Sequence, residues 1–183
     1  PQLYETVPLT PKAQLDLGDD TVDGSLWLAL AARKADAATS NDVESLLNDV
    51  RDRIGGKTLT LGIVPWLADA TRVLGPDVNA NADDVSALEC RIPAVDHGVL
   101  PDAKAERVPK YRVLPVVGGD VLSSPGTIQV VLPPAAQLTL WTNLDPLESG
   151  AGDFPPALVD TALETRVITW LKLSAPARTT AAI

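Results

Sequence analysis

The sequence is poor in the residues that carry most catalytic and metal chemistry: it has one cysteine, one histidine and no methionine. Cys90 is alone, so it cannot form an intrachain disulfide, which excludes disulfide-framework folds and favours a reducing compartment during folding. A structural zinc site built from four Cys and His ligands is excluded as well. The sequence alone therefore gives little support to most catalytic classes.

Long apolar runs and positive charge are also scarce. No run of about 18 apolar residues is present, so no segment of this sequence is predicted to span a membrane. No basic stretch leads into an apolar one, so no secretory signal is visible. The formal net charge of −9 argues against nucleic acid or an anionic membrane as the main partner, because both require clustered Lys and Arg.

The length and composition suit one packed domain. Residues 1–183, of which 45% are hydrophobic, match the usual size of a single domain. Because the chain begins at Pro1 and lacks methionine, we expect it to be a piece of a longer chain.

Two segments are predicted to be the central strands. In Asp23–Arg33, leucines at alternate positions oppose Trp27 and two alanines, as in a strand that buries one or both faces. Arg166–Leu173 has the same character, with Trp170 and Ile168 predicted on one face. Alternating patterns predict an edge strand at Leu3–Leu9 and extended structure at Leu138–Trp141. They also predict four further strands, at Lys57–Pro65, Ala87–Ile92, Val108–Val117 and Thr127–Leu132.

One amphipathic helix is predicted over Ser40–Ile54. Val43, Leu46, Leu47, Val50 and Ile54 form a single apolar stripe. Ser40 or Asn41 is the expected N-cap, and Gly55-Gly56 the expected stop. A second, short helix is expected within Pro155–Thr165, starting on its prolines. Irregular segments are expected at 34–40, Gly75–Asp84, Pro93–Arg107 and Asp145–Phe154.

These elements predict a mainly β fold, a β-sandwich-like domain of about seven to nine short strands with one appended helix at residues 40–54.

His97 and Cys90 are the obvious candidates for catalysis. Asp96 precedes His97, but neighbouring residues in an extended chain point in opposite directions, and no G-x-S-x-G motif is present. Cys90 shares an apolar face with Leu88 and Ile92, where burial makes a thiol inert. We therefore predict no catalytic residue, no metal ligand and no cofactor-binding residue.

Two further patterns resemble ligand sites without matching their spacing. Asp16, Asp19, Asp20 and Asp23 could supply oxygen ligands to Ca²⁺, but their spacing differs from an EF-hand loop, and a solvated turn is the preferred interpretation. Gly55-Gly56-Lys57-Thr58 resembles the end of a phosphate loop, yet the helix precedes the glycines instead of following the lysine.

The tryptophans allow two interpretations. Trp27 and Trp170 lie inside apolar runs, which favours packing in the core. Trp66 and Trp141 could instead form a platform that stacks on sugar rings, as in a carbohydrate-binding module.

Three segments of the sequence resemble a known protein family. DGSLWLALAARK, IGGKTLTLGIVP and ALETRVITWLKLSAP together resemble a segment of the baseplate assembly proteins of contractile phage tails and related injection particles, similar to the baseplate J family. In that family such a β-rich segment is an accessory domain of a wedge protein, so the resemblance implies a structural role and no catalytic residues.

The same resemblance implies partners and a location. The partners would be other baseplate or tail proteins, in a ring built through the parent chain, while the isolated fragment would be monomeric. The protein would be cytoplasmic during assembly and then part of the particle.

A hydrolase using two carboxylates about 5–9.5 Å apart is a further alternative, although nothing selects such a pair from 24 acidic residues.

Overall fold

Strands dominate the computed structural model, which describes residues 25–33, 42–64, 88–94, 108–119, 121, 125–144, 150 and 153–174. In chain order the elements are β1 (Ser25–Ala31), α1 (Val43–Ile54), β2 (Thr58–Ile63), β3 (Glu89–Ala94), β4 (Lys110–Leu114), β5 (Val116–Gly118), β6 (Gly126–Val131), α2 (Thr161–Glu164) and β7 (Val167–Ser174).

The strands form two antiparallel sheets. The first sheet has the order β1-β7-β3-β4, and the second sheet has the order β2-β6-β5. This arrangement confirms the prediction of a mainly β, sandwich-like domain with one substantial helix. No helix in the described part of the chain is long and apolar enough to cross a membrane.

A single apolar core joins the two sheets and α1. The first sheet contributes Ile92 and Leu171, the second contributes Ile128 and Val130, and α1 contributes Leu47, all almost completely buried. Arg112 on the first sheet contacts the turn at Ala135–Gln137, because its guanidinium donates to the side-chain and backbone oxygens of Gln137, both at 3.0 Å.

β7 is the central strand of the first sheet, as predicted. It pairs with β1 on one side and with β3 on the other, and every residue from Val167 to Leu173 is buried. β1 was also predicted to be central, but it pairs only with β7 among the described strands. The register shifts between Leu30 and Ala31, and near this bulge Ile168 joins the core instead of pointing away with Trp170.

Proline explains two differences from the predicted strands. The expected strand Val108–Val117 is in fact two strands in different sheets, separated at Pro115, whose carbonyl accepts from the Val131 amide at 3.2 Å. β3 extends through Pro93, which was expected to begin an irregular segment. Pairing of β3 with β7 ends at Arg91, so Pro93 lies where β3 has a described partner on one side only, a position that tolerates proline.

α1 is the predicted helix with a shorter start. Its N-cap is Asp42, whose carboxylate accepts from the Ser45 amide at 3.1 Å, and not Ser40 or Asn41. The helix ends at the predicted glycines, where Gly56 adopts a φ of 69° that favours glycine.

The extended structure expected at Leu138–Trp141 is present at Leu138 and Leu140, although the segment pairs with no described strand. It ends at Trp141, which begins a 3₁₀ turn that continues to Asn143. The short helix starts at Thr161, not on Pro155, because the Asp160 carboxylate caps it by accepting from the amides of Ala162 and Leu163.

Several predicted segments lie outside the described residues: Leu3–Leu9, 34–40, Gly75–Asp84, residues 95–107 and most of Asp145–Phe154.

The close approach of Gly55 to the turn at Ala135–Gln137 can be tested by substitution. A Cβ on Gly55 would overlap the Ala135 nitrogen and lie 2.7 Å from the Ala135 Cβ, whereas a Cβ on Gly62 would meet no atom within 4 Å. We expect Gly55→Ala to lower the free energy of unfolding by about 1–3 kcal/mol, since backbone must shift to make room. Gly62→Ala is the matched control and should be neutral or slightly stabilising in a strand. Equal urea midpoints for the two variants would contradict this contact.

Candidate functional site

The outer face of the first sheet carries a group of aromatic rings that we call the aromatic cluster: Trp27, Tyr111, Trp141 and Trp170. The Trp27 ring meets Tyr111 and Trp170 edge-on, with centroids 5.7 Å and 6.4 Å apart. Trp141 meets Trp170 in the same way at 6.3 Å. Such edge-to-face pairs are favourable beyond the area they bury, so the cluster covers the side of β7 that faces away from the core.

Lys172 brings a charge into this covered face. Its side chain is only 9% exposed, and its amine lies 5.3 Å from the centroid of the Trp27 ring and 3.2 Å from an Asp153 carboxylate oxygen. A buried charge is costly unless it is paired. The ring and the carboxylate therefore hold the amine in place, while the partly covered lysine stem adds to the packing.

Polar side-chain atoms of the aromatic cluster are buried and are poorly placed for acid–base chemistry. The Tyr111 hydroxyl and the Trp170 Nε1 are buried and make no hydrogen bond with any residue that the structure describes. Burial raises the pKa of Tyr111, and the nearby Asp153 carboxylate raises it further. The phenol therefore stays neutral at physiological pH, and the arrangement supports packing more readily than acid–base chemistry.

The predicted packing role of the tryptophans is confirmed for Trp170, which is 4% exposed. Trp27 is half-buried, and both lie on the outer side of the first sheet and not in the core between the sheets. Trp141 is also half-buried. Trp66 lies outside the described residues.

Cys90 lies where the sequence predicted, on the core face of β3. It is completely buried, and burial together with the Glu89 carboxylate raises the pKa of the thiol to about 12. A thiol with so high a pKa is protonated at neutral pH and is a poor nucleophile.

The remaining sequence candidates give no ligand site in the described residues. Gly55-Gly56 follows α1 and Lys57-Thr58 leads into β2, so no helix N-terminus faces the lysine as a phosphate loop requires. His97 and the aspartates at 16, 19, 20 and 23 lie outside the described residues. Within the described ranges, no three His, Cys, Asp or Glu side chains are grouped to hold a metal ion.

The second sheet has the opposite character on its outer side, which we call the open face. Its members are all exposed, and the strand register places them on one side of the sheet: Thr58, Thr60, Val117, Thr127, Gln129 and Val131. None of them is charged, although 21% of the chain is. Val117 is 61% exposed and Val131 is 39% exposed.

Sequence reasoning did not single out the open face, although part of its signal was visible. Thr58 and Thr60 alternate with Leu59 and Leu61, which predicts one buried and one exposed side for β2. The neutrality of the whole face follows only from the register with β6 and β5, which places Gln129 between Thr60 and Val117. An uncharged, exposed sheet face can bind another protein surface, since the buried centres of interfaces are depleted of charged residues.

Comparison with protein-family models, with characterised proteins and with solved structures finds no match for this chain.

Because burial raises the pKa of Cys90, the pH dependence of stability tests whether this residue is buried. Because the folded thiol holds its proton to about pH 12 while the unfolded thiol releases it near 9.0, the free energy of unfolding should fall as pH rises through this window. We expect Cys90→Ala to be less stable than the parent chain at pH 8, with the gap shrinking by about 2–3 kcal/mol by pH 11. Urea unfolding at several pH values measures the gap. Tyr111 titrates in both proteins and cancels, so parallel pH profiles would show that Cys90 is accessible.

Proposed function

We propose that this domain is a structural accessory domain of a baseplate protein, in a contractile phage tail or a related injection particle. It acts by binding neighbouring proteins and not by catalysis. The observation that carries the proposal is the open face: an exposed, uncharged sheet surface on a domain whose other sheet has its outer side packed with aromatic rings.

The contrast between the two outer faces supports a contact role. On the first sheet, the aromatic cluster and the Lys172–Asp153 pair occupy the outer side of β7. On the second sheet, threonines, a glutamine and exposed valines remain uncovered by the described residues. A neighbouring protein that covered Val117 and Val131 would bury apolar surface without having to desolvate a charge.

The resemblance of the sequence supports the kind of assembly. The three sequence segments that show the resemblance lie in β1, in the end of α1 together with β2, and in α2 together with β7. They therefore involve both sheets and include the strand that organises the first one. In a ring-shaped particle, symmetry would repeat the open face at each position, so a weak contact would be used many times.

Other tail or baseplate proteins are the partners under this proposal. The domain would be made in the cytoplasm and become part of the finished particle. The predicted loops at 75–86 and 93–107 are further candidates for contact. The first loop and residues 95–107 of the second lie outside the described residues.

An isosteric charge on the open face tests the proposal. Gln129 lies at the middle of the face, opposite Thr60 and Val117, so Gln129→Glu should place a carboxylate inside the contact. Asn143→Asp is the matched control, because Asn143 is also exposed but lies in the turn beside the first sheet. In cells that produce the full parent chain, we expect Gln129→Glu to lower the yield of assembled particles at least tenfold and Asn143→Asp to leave it unchanged.

Electron microscopy with an antibody against this domain locates it in the same preparations. Labelling at the baseplate end of particles agrees with the proposal. Particles that carry no label, or equal yields from both variants, would contradict it.

A carbohydrate-binding module is the second candidate, favoured by Trp141, which is only half-buried. Binding of an oligosaccharide that is lost in Trp141→Ala and unaffected by Gln129→Glu would support this candidate over the baseplate role.

A further inference from the structure

We draw no further inference here: the strongest candidate, the outer edge of β2, where the backbone amides of Thr58, Thr60 and Gly62 face away from β6, accepts a strand of another protein as readily as a strand of a second copy of this chain, and nothing in the structure shows what covers it.

Discussion

Burial of β7 on both sides is the constraint on which the rest of the structure depends. A strand with all of Val167–Leu173 buried needs a hydrogen-bonding neighbour at each edge and a covering layer on each face. β1 and β3 provide the edges. The core that includes Leu171 covers one face, and the aromatic cluster covers the other.

This constraint makes the two sheets different in character. The first sheet uses its large aromatic side chains and its buried lysine to cover β7, so its outer side is occupied by the chain's own residues. The second sheet has no strand buried on both sides: along β6, buried Ile128 and Val130 alternate with exposed neighbours. Its outer side and its β2 edge are therefore places where the described structure can accept more protein. The proposed contact role rests on this asymmetry more than on any single side chain.

Local pattern predicted much of this fold, and non-local pairing decided the rest. Alternation predicted β2 and β6, and an apolar stripe predicted α1, because one exposed and one buried side are visible in short stretches of sequence. The transfer of the chain between sheets at Pro115 was missed, since nothing local shows which sheet each half of 108–117 will join. The bulge beside Leu30 was missed for the same reason. Inertness of Cys90 was predictable from its apolar neighbours, whereas the open face required knowledge of which strands lie side by side.

Amide hydrogen exchange of the isolated domain, resolved by residue, tests this account most directly, because protection from exchange reports which backbone groups are bonded and buried. The slowest amides should be those of β7. Along β2, protection should alternate, with slow exchange at Leu59, Leu61 and Ile63, whose amides bond to β6, and fast exchange at Thr58, Thr60 and Gly62. Uniform protection along β2 would show that its outer edge is already paired, and fast exchange throughout β7 would contradict its place at the centre of the fold.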